Sequence, residues 1–152
     1  ALANGMTALQ HDGILKAAAA EKGAMKVLAV TALTSLDRGD LEDLGFTCDV
    51  DALVLSRARR ALQHGCDGVI SSGREARKLR EELGPRLLVV TPGIRPVDND
   101  SRPADDQKRT MALDEAFKAG ADHVVVGRPI RDAADPRAAA LAMQAQIRAV
   151  FG

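Results

Sequence analysis

Leu87-Leu88-Val89-Val90-Thr91-Pro92-Gly93-Ile94-Arg95-Pro96 is the stretch that decides the fold. Four aliphatic residues in a row, without polar alternation, predict a strand covered on both faces, the pattern of parallel strands in α/β proteins. Pro92 and Gly93 end that strand and deliver Arg95 to its carboxyl rim, where βα loops gather ligands. A second strand, Val124-Val125-Val126, ends the same way in Gly127-Arg128-Pro129. The pairing of glycine with arginine points to phosphate. Glycine lets backbone N–H groups approach an anion closely, and guanidinium offers a planar fork of donors that matches phosphate oxygens. Each arginine alone has a plainer reading, a solvated loop residue paired with Asp98 or Asp132; their joint occurrence at two strand ends favours the anion.

Working outward, residues 14–22 form an alanine-rich helix that Gly23 stops, and Val27 to Thr31 form a strand ending in Ala32-Leu33-Thr34-Ser35. A short helix over 40–44 precedes a longer one over 51–64, whose Leu53, Val54, Ala58, Ala61 and Leu62 share one face. Cys66 to Ile70 lead into the next strand, and Ser71-Ser72-Gly73 cap a helix over 74–83. After Pro96 a polar stretch through Asp106 has the length and composition of a functional lid or of a disordered loop. Thr110 is the expected cap of a helix ending at Lys118, and a last helix over 136–150 carries Ala140, Met143, Ile147 and Val150 or Phe151 as its apolar stripe. His64-Gly65-Cys66-Asp67-Gly68 and Ala119-Gly120-Ala121-Asp122 repeat one αβ turn, with glycine in the left-handed position and Asp satisfying loop amides. Alternation of strand and helix at this rhythm predicts parallel βαβ units with right-handed crossovers.

Composition narrows the function. The 152 residues suit a single domain spanning 1–152. Lys plus Arg and Asp plus Glu are 21 each, which argues against broad electrostatic binding to nucleic acid or to a membrane surface. Three Phe and no Trp or Tyr leave no stacking platform for single-stranded nucleic acid. Cys48 and Cys66 match no zinc or redox spacing, and His11, His64 and His123 are not at ligand spacing, so no metal is expected. Without a membrane-length apolar run or a targeting pattern at the start, the expected location is the cytoplasm. Arg57, Arg59 and Arg60 read as a solvated outer helix face, and Lys26, ahead of its strand, as a surface lysine at the opposite end from the rim.

The chain from about Lys26 onward resembles the carboxyl-terminal part of orotidine 5'-phosphate decarboxylases. The resemblance rests on Leu28-Ala29-Val30-Thr31-Ala32-Leu33-Thr34-Ser35, Val90-Thr91-Pro92-Gly93-Ile94-Arg95-Pro96, Asp106-Gln107-Lys108-Arg109 and Val126-Gly127-Arg128-Pro129-Ile130, in the family's order. It implies the carboxyl-terminal half of a TIM (β/α)8 barrel, strands five to eight. It also implies conversion of orotidine 5'-phosphate to uridine monophosphate and carbon dioxide in pyrimidine biosynthesis, without a cofactor, in a homodimer. Carried over by motif, Thr34 and Ser35 meet the pyrimidine, Arg95 and Gln107 hold the phosphate, and Gly127 with Arg128 complete its cradle.

The same resemblance exposes a departure. The family's chemistry uses an Asp-Lys-Asp-Asp constellation that includes an Asp-x-Lys-x-x-Asp run, and this sequence lacks that run: Asp106-x-Lys108 begins it, but Met111 stands at the last position. No catalytic residue is therefore assigned, although loss of carbon dioxide leaves a carbanion that needs a poised ammonium. A barrel takes roughly 250 residues, so four strands here leave an open sheet edge that invites association. Two other readings remain in view: a related sugar-phosphate decarboxylase, for which no acidic magnesium cluster is evident, and a non-catalytic phosphate-binding half-barrel.

Overall fold

The computed structural model describes residues 12–95 and 109–152. Its elements run α1 (Asp12–Ala20), β1 (Leu28–Val30), α2 (Arg38–Asp43), α3 (Val50–Gln63), β2 (Gly68–Ile70), α4 (Gly73–Leu83), β3 (Leu88–Thr91), β4 (Ile94–Arg95), β5 (Met111–Ala112), α5 (Leu113–Lys118), β6 (His123–Val124), α6 (Arg128–Arg131) and α7 (Pro136–Phe151). β1, β2, β3 and β6 form one parallel sheet in that order, and β4 pairs with β5 in a separate parallel ribbon.

Side chains alternate across a strand, so register decides which residues meet the helices. Ala29, Val69 and Val89 lie level across the three central strands and are all buried. They join Leu15 of α1, Val54, Ala58 and Ala61 of α3, and Ala76 and Leu79 of α4 in the larger core. The other face fares differently: Leu28, Val30, Ile70 and Leu88 are only half-buried. The expectation of a strand covered on both faces thus holds for Val89 and Val90 but not for Leu88. A second core joins Ile94, Leu113, Ala116 and Ala121 to Met143 and Ile147 of α7, with Phe117 and Phe151 edge to face at 5.3 Å.

Helix starts follow local chemistry. Asp37 and Asp40 form a reciprocal capping box on α2, Asp49 accepts from the Ala52 amide to cap α3, and Asp135 does the same for α7 through Ala138. Ser72 caps α4 as expected, accepting from Arg74 N–H at 3.3 Å. Thr110 does not cap α5. Met111 and Ala112 are drawn into pairing with Ile94 and Arg95, so α5 starts later, behind Ala112, without a side-chain cap.

The repeated αβ turn has a different purpose from the one its sequence predicts. Gly65 and Gly120 take φ of +84° and +106°, as a helix stop requires. Each aspartate, however, reaches the start of the neighbouring strand rather than its own loop. Asp67 Oδ2 accepts from Val27 N–H at 2.9 Å and from Lys22 Nζ at 2.9 Å. Asp122 Oδ2 accepts from Val89 N–H at 2.8 Å and from Arg80 Nη2 at 2.7 Å. Arg80 also donates to the carbonyls of Gly84, Leu87 and Gly120, closing the amino-terminal edge of the sheet. Lys26 lies at this edge too, largely exposed, with its Nζ 3.5 Å from Asp67.

Two predictions follow from this packing. A Cβ on Gly68 would sit 2.2 Å from the Leu88 carbonyl oxygen and 2.5 Å from its Cβ. Gly68→Ala should therefore destabilise the fold by about 1–3 kcal/mol in chemical denaturation, as overpacking against backbone does. Hydrogen bonds from Lys22 and then from the Val27 amide hold the Asp67 carboxyl down from its ordinary 3.8 to about 2. Because the folded value is depressed, the stability it contributes is complete above about pH 4 and is lost as pH falls towards 2. Asp67→Asn should flatten that part of the acid-denaturation profile.

Candidate functional site

The four parallel strands run the same way, so their carboxyl ends share one rim. Thr34 and Ser35 lie there, in the turn between β1 and α2, both half-buried. Arg95 is half-buried in β4, just beyond the end of β3. Gly93, buried with φ +78°, makes the sharp turn between those two strands, and its carbonyl accepts from Met111 N–H at 3.2 Å. Arg95 and Pro129 line one cavity of about 150 Å³ with Ile94, Leu113 and residues of α7. The turn after β3 and the Gly127-Arg128-Pro129 turn after β6 are therefore neighbours. Arg95 also lines a cavity of about 440 Å³ with Asp114, Lys118 and Gln146. Gln107, expected to hold phosphate, lies outside the described residues, as does the stretch read as a lid.

Gly127 ends the β6 segment with φ −108° and is exposed, and among the described residues a Cβ there would meet nothing within 4 Å. Neither its conformation nor its described surroundings demand glycine. Arg128 begins α6 half-buried, and Asp132, the partner considered for it from sequence, is paired with Arg131 at 2.7 Å. The strand expected over Val124 to Val126 is shorter than its aliphatic run. It covers His123 and Val124, and Val125 turns outward, 49% exposed, with its amide on the Thr91 carbonyl at 2.8 Å.

Side chains that sequence reasoning passed over organise this rim. Arg57, expected on a solvated helix face, is half-buried; its Nη1 donates to the Thr31 carbonyl at 2.6 Å, and its guanidinium carbon lies 5.8 Å from the centre of the Phe46 ring. Its neighbours Arg59 and Arg60 do stay near solvent, paired with Glu82 and Asp12. Arg109 and Glu75 form a buried ion pair, 7% and 3% exposed. Arg109 Nη2 donates to the Leu33 carbonyl at 2.8 Å, and Ser71 Oγ donates to Glu75 at 3.1 Å. Burial pushes the Glu75 carboxyl up, against the opposing pull of Arg109 and the Ser71 hydroxyl. Glu75 opens the helix expected after Ser71-Ser72-Gly73 and Arg109 closes the polar stretch after Pro96, and nothing local in the sequence joins the two, 34 residues apart. Among the described residues no three His, Cys, Asp or Glu side chains gather as metal ligands would, and no helix is long and apolar enough to cross a membrane.

Parallel βαβ units with strand-end loops converging on one rim define the carboxyl-side strands of a (β/α)8 barrel. The chain belongs to the orotidine 5'-phosphate decarboxylase / HUMPS family, whose model matches residues 5–143. It is 66% identical over 141 residues to the orotidine 5'-phosphate decarboxylase of Methylococcus capsulatus, an alignment covering 93% of this chain and 57% of that protein. The enzyme of the same name from Xanthomonas oryzae is 51% identical over 143 residues, covering 93% and 58%. Among solved structures, the orotidine 5'-phosphate decarboxylase of Lactobacillus acidophilus superposes with a TM-score of 0.72 at 35% identity, covering 88% of this chain and 58% of that one. The one from Pyrococcus horikoshii gives 0.60 at 26% identity, covering 84% and 53%. The chain thus spans little more than half the length of these relatives.

Arg57 bridges a helix to the carbonyl at the end of β1, and its loss would leave that buried acceptor without its charged donor. Arg57→Ala should cost about 1–3 kcal/mol in urea unfolding, more than a solvated arginine would.

Proposed function

We propose that this chain is the phosphate- and pyrimidine-binding side of an orotidine 5'-phosphate decarboxylase, which converts orotidine 5'-phosphate to uridine monophosphate and carbon dioxide. The observation that carries the reading is the family match over residues 5–143. It is supported by the closeness, on one rim, of the turns that carry Arg95 and Arg128, whose Arg95 and Pro129 line one cavity.

In this reading Arg95, Arg128 and Gln107 hold the phosphate, the Gly127 backbone approaches it, and Thr34 and Ser35 face the base. Phosphate contacts remote from the reacting carbon supply binding energy that the reaction can use. No residue of this chain is given the proton-donating role, because the Asp-x-Lys-x-x-Asp run is absent from its sequence. The proposal includes a cytoplasmic setting and a homodimer, the latter in keeping with a half-buried apolar sheet face.

Calorimetry with uridine monophosphate, paired with an absorbance assay for loss of orotidine 5'-phosphate, tests this. The 152-residue chain should bind the nucleotide without turning over the substrate. Arg95→Ala and Arg128→Ala should each weaken binding by about 10- to 100-fold, the worth of a charge-assisted hydrogen bond or two. Absence of binding would refute the reading, and turnover would show that a proton donor has been overlooked in this sequence.

A further inference from the structure

The buried Glu75–Arg109 pair lies where a fold gains little from one. Removing two charges from water costs about as much as their attraction returns, so such a pair is weak evidence for stability. Its placement is more informative. Arg109 is held by two strand ends at once, the turn after β1 and the Ser72–Glu75 segment after β2. Its backbone N–H donates to the Thr34 carbonyl at 3.2 Å, and its own carbonyl accepts from Ser72 Oγ at 3.3 Å. Its guanidinium pairs with Glu75 in the first turn of α4 and donates to the Leu33 carbonyl at 2.8 Å. Ser71, the residue after β2, fixes the other carboxylate oxygen of Glu75.

The turn after β1 is therefore clamped through its backbone. Arg57 takes the Thr31 carbonyl, while Arg109 takes Leu33 with its side chain and Thr34 with its amide. These contacts use main-chain oxygens of the turn and leave the Thr34 and Ser35 hydroxyls out of the clamp. A buried, multiply bonded guanidinium has few alternative geometries, so it fixes the turn rather than merely attaching it.

We propose that Arg109, oriented by Glu75, is a positioning residue that presents Thr34 and Ser35 to the pyrimidine ring of the bound nucleotide. This rests on the nucleotide-binding reading above and adds to it a division of labour: Arg95 and Arg128 read the phosphate, whereas the Glu75–Arg109 clamp sets the recognition of the base.

The test compares two ligands on the 152-residue chain by calorimetry, uridine monophosphate and ribose 5-phosphate, which differ in the base. Because Arg109→Ala strands a buried carboxylate and risks unfolding, the main variant is the double substitution Glu75→Leu with Arg109→Met, which removes both charges at similar volume. Circular dichroism and melting should show it folded. It should bind uridine monophosphate about tenfold more weakly and ribose 5-phosphate within about twofold of the parent. Glu75→Asp, which keeps the pair, should retain more of the preference for the base than Glu75→Gln, which breaks it. Equal weakening towards both ligands, or an unchanged affinity for uridine monophosphate in a folded double variant, would overturn the positioning role while leaving the nucleotide-binding reading in place. Failure of the parent chain to bind either ligand would overturn both.

Discussion

Parallel pairing in register is the constraint from which the rest follows. Leu28, Gly68 and Leu88 lie level, as do Val30, Ile70 and Val90, and β6 continues the order with His123 beside Val90. Parallel strands need crossovers, and the helices that make them, α3 and α4 among others, return the chain to the same starting edge each time. Every strand must then finish at the other edge. The Thr34 turn, the Ser71–Ser72 turn, the Gly93 turn and the Gly127 turn are gathered there by topology, before any side chain is chosen for chemistry.

The two edges of the sheet are held by different means. At the starting edge each aspartate accepts from an amide at the start of the neighbouring strand and from a cation, Lys22 just after α1 or Arg80 within α4, and the same unit is used twice, at Asp67 and at Asp122. At the finishing edge the bonds are long-range and each is made once. Arg57 reaches from α3 to the end of β1, and Arg109 joins the turn after β1 to α4. The starting edge secures the register. The finishing edge sets a geometry, which is what a binding site requires of its supporting residues.

Much of this could be read from the residues alone, and the reason is local. The aliphatic runs at 28–30 and 88–90, the Ser72 cap, and the glycines after α3 and α5 act within a few residues of themselves. What escaped depended on distant partners. Thr110 looked like a cap because a pairing between residues 94–95 and 111–112 leaves no mark in either segment. Arg57 looked like one of three solvated arginines because helical spacing does not reveal that one of them faces the end of a strand. Asp67 and Asp122 were recognised as a repeat, yet the amides they serve lie at the starts of other strands. The candidate site shows the same division: its Gly-Arg turns are contiguous in sequence, whereas the ion pair beneath Thr34 joins residues 75 and 109.

The central claim is that an anionic nucleotide binds at the carboxyl rim, between the turns that follow β1, β3 and β6. A ¹⁵N-resolved NMR titration of the chain with uridine monophosphate addresses it most directly. The account predicts that amide shifts concentrate at residues 34–35, 93–95 and 127–128 and spare Asp67 and Asp122 at the opposite edge. Shifts centred on that opposite edge, or spread evenly over the sheet, would contradict it.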